Sequence, residues 1–239
     1  MATYCCAHRG APNTHPENTI PAFVEAIELG VDMIEFDVRV TADGHAVLMH
    51  DATVDRTTNG TGAVEDLTLA EIKQLDAGSW KAPQFADTEV PTFAETLEVM
   101  PPEILLNIEL KAGEMVVDLV IGHLKKLDMI DQSLLAARND QATRARELIP
   151  DIRIINFSRQ DGADDYVDNT IATGAQYLQL PRRDTTPERV ARCHQHGIVV
   201  NVFKSDEPED QRLLSDWGVD YILTDNPRLL METLGRLAG

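Results

Sequence analysis

The chain reads as an α/β protein, a TIM (β/α)8 barrel with a small insertion between its second strand and the helix that follows. Two observations predict this. Short β-branched or apolar runs alternate with segments of helical period along the chain, and eight of each occur, whereas a doubly wound sheet usually has about five or six strands. The length of 239 residues agrees: one such barrel takes roughly 200–250 residues, so residues 1–239 are expected to form a single domain.

The strand-like runs lie at 3–8, 32–39, 104–110, 132–136, 152–156, 176–180, 198–203 and 219–224. Helical segments lie between them at 19–29, 92–99, 114–127, 140–149, 163–173, 187–196, 207–216 and 227–237. Thr186-Pro187 and Asn226-Pro227 each offer a cap residue followed by proline at the first helical position, and Gly30, Gly174, Gly197 and Gly218 stand just past helix ends. No stretch is rich enough in Pro, Gly and Ser to be an interdomain linker, and no repeat of fixed period occurs. One connection is long. Residues 41–91 hold turn formers (Asp43-Gly44, Asn59-Gly60) and a short helical pattern at 68–75, so they are expected to form a small subdomain rather than a structureless loop. The excursion leaves from the carboxyl end of a strand, the catalytic face of such barrels, where it would serve as a lid or specificity wall.

Composition limits the function. Hydrophobic residues at 43% and charged residues at 26% suit a chain that buries a full core, and no apolar run approaches the roughly 18 residues of a membrane span. The net charge of −19 opposes binding to nucleic acid or anionic lipid. The partner expected is a small molecule, with no stable membrane anchor and no indication of oligomeric state. The first ten residues lack a basic-then-apolar leader, which places the protein in the cytoplasm as an expectation. Cys5, Cys6 and Cys193 are an odd count without the close spacing of a zinc site, and read as small core thiols. So many carboxylates must partly cluster, and where they converge a divalent cation relieves their repulsion.

Glu35 and Asp37 are two apart on one strand, so both point into the barrel near its top. Glu109 and Lys111 repeat the spacing on the next strand. Inward carboxylates must be paired, hydrogen-bonded or on a metal. Salt bridges between strands are the plain reading of Glu35 and Asp37 alone, as neutralisation of Glu109 is for Lys111. Three oxygen donors from neighbouring strands instead suit one hard cation, Mg2+ or Ca2+. The first strand ends in His8-Arg9-Gly10, and His50 opens the long excursion. Arg9 offers a planar fork and Lys111 a point charge to phosphate oxygens. Two imidazoles, three carboxylates and two cations at one barrel mouth fit phosphoryl transfer, one histidine accepting a proton and the other donating one. His15, His45, His123, His194 and His196 lie in loops or helices and are assigned no role.

In order and spacing, His8-Arg9-Gly10, Pro16-Glu17-Asn18-Thr19, Glu35-Phe36-Asp37-Val38, His50-Asp51 and Glu109-Leu110-Lys111 resemble the glycerophosphodiester phosphodiesterase family. Asp76-Ala77-Gly78-Ser79-Trp80, Val90-Pro91-Thr92-Phe93 and the segment from Gly218 to Pro227 extend the resemblance over nearly the whole chain. It implies a TIM barrel that hydrolyses glycerophosphodiesters to glycerol 3-phosphate and an alcohol. It further implies metal ligands at Glu35, Asp37 and Glu109, acid/base residues at His8 and His50, and phosphate contacts from Arg9 and Lys111. Glu17 and Asn18 would brace the loop around His8, and a substrate hydroxyl would be the nucleophile.

The chain departs from the family in carrying Ala137-Arg138 where Ser-Phe is frequent and Phe203-Lys204 where Trp-Thr is frequent. Such positions shape the pocket for the glycerol or alcohol, so Phe203 is expected to contact substrate. Arg138 and Lys204 read as solvated rim charges, or else favour a more anionic substrate. Competing functions are a phosphodiesterase for lysophospholipids or sphingolipids, which the 5% aromatic content disfavours, a Schiff-base aldolase using Lys111, and a metal-binding barrel without activity.

Overall fold

Residues 2–111 and 113–237 are described by a computed structural model of the chain. Parallel pairing runs through β1 (Tyr4–His8), β2 (Met33–Val40), β4 (Leu105–Leu110), β5 (Ser133–Ala137), β6 (Arg153–Asn156), β7 (Tyr177–Pro181), β8 (Val199–Phe203) and β9 (Tyr221–Thr224). It closes where β1 pairs with both β2 and β9, with Cys6 opposite Met33 and Leu223. The chain is therefore a TIM barrel. Each of the eight expected strands is present, its ends shifted by at most two residues.

The helices are α1 (Ile20–Glu28), α2 (Leu69–Ile72), α3 (Phe93–Val99), α4 (Glu114–Leu127), α5 (Asn139–Leu148), α6 (Ala163–Thr173), α7 (Pro187–Gln195), α8 (Pro208–Asp216) and α9 (Pro227–Thr233). No helix among the described residues is long and apolar enough to cross a membrane. Thr92 caps α3 through a reciprocal bond with Glu95, and the Asn226 side chain accepts from the Leu229 N–H at the start of α9. The last helix is shorter than its apolar period suggests. Gly235 takes a positive φ of 69° and the Arg236 N–H turns back to the Met231 carbonyl, which ends α9.

Strand alternation divides the core in two. Ala7, Ile34, Phe36, Leu106 and Ile108 face the helices, where Phe36 packs edge-on against Phe23 and tilted against Phe93. Cys6, Met33, Leu134, Ala136, Ile155 and Leu223 fill the barrel interior. The adjacent cysteines consequently serve different layers, and Cys5, Cys6 and Cys193 are all free and buried.

Residues 41–91 carry a strand that periodicity did not reveal. β3 (Ala46–Leu48) lies antiparallel on β2, joined by a turn at Asp43-Gly44; three residues are too few to show an alternation. Beyond it, Val47, Met49, Val54, Val64, Ile72, Ala77 and Val90 make a small core of their own. Lys81 ties this segment to the barrel by donating to the carbonyls of Pro12 and Asn13.

The β1–α1 turn is fixed by Gly10. Its φ is 89°, and a Cβ there would meet the Ala22 backbone at 2.7 Å. Gly30 also has a positive φ, 71°, but open space around it. A Gly30→Ala chain should thus lose only the left-handed penalty, about 1–2 kcal/mol, or roughly 2–8 °C in melting temperature. Gly10→Ala adds a backbone collision and should melt well below Gly30→Ala by circular dichroism; equal melting of the two would show that the close approach is not limiting.

Candidate active site

The carboxyl ends of β1, β2 and β4 bring the expected residues together. His8 lies directly opposite Glu35, and Asp37 opposite Glu109. Carboxylate oxygens of Glu35, Asp37 and Glu109 fall within 4.8 Å of one another. Glu35 and Asp37 are buried. Burial pushes the Glu35 carboxyl well above the ordinary range, and Asp37 and Glu109 push the same way. Burial and Asp37 likewise raise Glu109. Burial also opposes the Asp37 charge, but Lys111 and Arg9 outweigh it and hold that carboxyl below its usual range. Lys111 places Nζ 3.1 Å from Asp37 Oδ1 and also pairs with Glu109; Arg9 places Nε 3.2 Å from Asp37 Oδ2. Glu35 Oε1 is buried without a hydrogen-bond partner among the described residues. Three oxygen donors, one of them orphaned, have the make-up of a hard-cation site.

Arg9 reaches this position in a left-handed conformation, φ 54°, which is strained for a side chain of its size. Its N–H donates to the Glu35 carbonyl at 2.8 Å and lies 3.1 Å from Glu35 Oε2. Glu17 accepts from Arg9 Nη1 at 2.7 Å, and Asn18 donates to Asp37 Oδ2 at 2.7 Å. The Asn18 N–H also donates to the Arg9 carbonyl at 3.1 Å, so Glu17 and Asn18 brace the loop that follows His8, as expected, and Asn18 holds Asp37 as well.

The partner of His8 is Asp225, just beyond β9, with Nδ1 and Oδ1 2.5 Å apart. Burial works against the Asp225 charge, yet His8 and Lys204 outweigh it and bring the carboxyl down to about 2. An ionised carboxylate only accepts, so Nδ1 carries the proton and Nε2 is left facing the site. Phe203 lies edge-on to the His8 ring at 5.6 Å. His50 is built the same way. The β2–β3 hairpin folds back so that the Met49 N–H bonds the Asp37 carbonyl, and His50 Nδ1 lies 2.7 Å from Asp51 Oδ1. Burial lowers the His50 imidazole below its usual value, helped by Lys111 and Arg9 and opposed by Asp37 and Asp51.

All eight expected residues meet at this mouth. His8, Arg9, His50, Glu109, Lys111 and Phe203 line a cavity of about 650 Å³, with Glu35 and Asp37 behind them. Beneath it, Asn107 and Asn201 both donate to Gln179 Oε1 inside the barrel.

Four further residues around this site escaped the sequence reading. Asp51 and Asp225 belong to segments already singled out, but nothing in them marks a histidine partner. Arg39 lines the cavity and donates to the His50 carbonyl at 2.7 Å. Arg56 grips Asp51 at 2.7 Å and Glu17 at 2.8 Å, so one guanidinium stands behind both His50 and Arg9. Its partner Glu17 is 39 positions away, beyond any local pattern. Lys204 is exposed, as a rim charge was expected to be, and it is also paired with Asp225 and Asp206.

This layout has counterparts among known proteins. The model of the glycerophosphoryl diester phosphodiesterase family matches residues 8–229. The chain belongs to that family. A glycerophosphodiester phosphodiesterase of Caldanaerobacter subterraneus subsp. tengcongensis is 37% identical over 97% of this chain and 98% of its own. One from Bacillus subtilis is 32% identical over 93% of this chain and 83% of its own. Among solved structures, an Oleispira antarctica phosphodiesterase in complex with the product sn-glycerol-3-phosphate superposes with a TM-score of 0.89 at 27% identity, covering 98% of this chain and 97% of its own. As a member of the glycerophosphoryl diester phosphodiesterase family, the protein is a phosphoric diester hydrolase.

Arg56 holds the Asp51 carboxyl well below its usual range, with His50 adding to the effect. A depressed folded pKa stabilises above the unfolded value of about 3.9 and loses that contribution as pH falls through the folded one. Thermal melts of Arg56→Met should therefore lie below the parent at neutral pH, with the gap narrowing once pH drops under about 4. A gap of constant size down to the most acidic sample would remove this ionic role.

Proposed function

We propose that the protein hydrolyses glycerophosphodiesters to glycerol 3-phosphate and an alcohol, using one divalent cation, Mg2+ or Ca2+, and the histidine pair His8 and His50. The observation that carries this reading is the shared cavity. A carboxylate triad, two cations and two aspartate-paired imidazoles converge on one volume, and the related Oleispira enzyme carries sn-glycerol-3-phosphate.

Glu35, Asp37 and Glu109 would hold the cation, which when bound supplies Lewis-acid neutralisation of phosphate charge. Arg9 and Lys111 then bind the phosphate oxygens, for which both are oriented by Asp37. Phe203 packs against the glycerol. With Nδ1 engaged by a carboxylate, each histidine presents Nε2 as the working atom. One Nε2 accepts the proton of the glycerol 2-hydroxyl as that oxygen attacks phosphorus, and the bond to the alcohol oxygen breaks as the other Nε2 protonates it. Water opens the resulting cyclic phosphate with the histidine roles exchanged. Attack from within the same molecule gains several kcal/mol over free water.

Two competing readings lose support. Burial works against the Lys111 ammonium, but Asp37 and Glu109 outweigh it and raise its pKa, the wrong direction for a Schiff-base amine. Besides Phe203, Leu110, Ala136, Phe157 and Pro181, the cavity wall carries Arg138, Asp140, Gln160, Asp161 and Arg183, a charged lining that suits a short polar alcohol better than an acyl chain. Barrel and insertion are proposed to work as one domain, since Arg56 and His50 come from the insertion side of the site. Three buried free thiols fit a reducing compartment such as the cytoplasm.

A panel of glycerophosphodiesters, assayed after chelation and again with Mg2+ or Ca2+ restored, tests the reading. Activity should vanish and return, and glycerol 3-phosphate should be the common product; undiminished turnover in chelator would refute the metal requirement. His8→Ala or His50→Ala should each lower turnover by roughly two to four orders of magnitude, and near-normal turnover removes that histidine from the mechanism. A substrate with hydrogen in place of the 2-hydroxyl should react far more slowly. If it keeps pace with its parent, water attacks directly.

A further inference from the structure

We propose that Lys204 is a positioning residue for His8, acting through Asp225. The inference rests on the acid/base reading of His8 and adds a residue to it.

Asp225 uses both carboxylate oxygens: Oδ1 meets His8 Nδ1 at 2.5 Å, and Oδ2 meets Lys204. A carboxylate torsion is broad and close to two-fold, and this side chain is 31% exposed, so one bond through Oδ1 does not hold its plane. The second anchor does. Lys204 is fixed in turn by Asp206, whose Oδ2 lies 3.2 Å from Nζ. Asp206 Oδ1 also accepts from the Asp225 N–H at 2.9 Å and from the Thr224 hydroxyl at 2.8 Å. Backbone and side chain of Asp225 are thus held by the same acid–lysine pair.

The end of β8 contributes to both sides of His8. Phe203 lines the cavity and meets the imidazole edge-on, while Lys204 is paired with Asp225 and is not among the residues that line the cavity. A lysine contacting substrate would face the cavity; one that orients the general acid or base would sit where this one does. Lys204 also balances the charge of two neighbouring aspartates beside a site already rich in carboxylates, so Asp225 stays an acceptor and His8 keeps its Nδ1 proton.

The test compares Lys204→Met, Lys204→Arg and His8→Ala with the parent enzyme on one glycerophosphodiester, together with ring-nitrogen NMR of His8 in cation-free protein above the histidine titration range. Lys204→Met should lower kcat roughly ten- to a hundredfold, as loss of a partner behind a functional histidine does, with KM little changed. Lys204→Arg should recover most of that loss. The ring signals should report the Nδ1–H form in the parent and a mixture with the Nε2–H form in Lys204→Met. Parent-like kcat and ring signals in Lys204→Met overturn the inference, and so does a loss confined to KM, which would make Lys204 a substrate contact. An inactive His8→Ala beside a fully active Lys204→Met overturns the inference alone. A fully active His8→Ala overturns the reading beneath it as well.

Discussion

Three carboxylates facing one another inside a barrel mouth are the constraint on which the rest of the site depends. Glu35, Asp37 and Glu109 are held within 4.8 Å by parallel strand register, and an uncompensated cluster of that kind is strongly unfavourable away from water. Lys111 and Arg9 answer part of the charge, chiefly at Asp37. What they leave, at Glu35 above all, suits a divalent cation. The two side chains that relieve the repulsion are also the ones that suit a phosphate, so stability and the proposed binding would draw on the same atoms.

Around that centre several of the site's groups are held by a partner that does not line the cavity. Asp225 holds His8, Asp51 holds His50, Glu17 holds Arg9 and Asn18 holds Asp37. Arg56 then ties Asp51 to Glu17, which links the insertion to the β1–α1 loop. The insertion is therefore tied into the site itself. Its hairpin supplies His50 and its arginine locks two supporting carboxylates, which is why a segment with a core of its own is also part of the site.

How much of this could be read from the chain follows from the range of each interaction. The barrel was legible because eight apolar runs and helical segments alternate, and Glu35-Phe36-Asp37 and Glu109-Leu110-Lys111 were legible because a period of two assigns both side chains to one face. β3 was not, being too short for a pattern. The bridges from Arg56 to Glu17 and from Lys204 to Asp225 were not, because partners 39 and 21 positions apart leave no mark on either neighbourhood. Lys204 looked like a surface charge; the fold sets two aspartates beside it. Asp225 stood in a segment already singled out, yet its bond to His8 spans 217 positions and needed the closure of β9 against β1 to become visible.

Calorimetric titration of Mg2+ or Ca2+ into chelator-stripped protein and into its Glu35→Gln counterpart bears most directly on this centre. A single site should bind in the parent and weaken sharply in Glu35→Gln. Carboxylates bind a cation in their ionised form, and burial pushes the Glu35 carboxyl above its ordinary range, so affinity should rise with pH. Equal binding by both proteins, or binding by neither, would contradict a cation held by the three carboxylates.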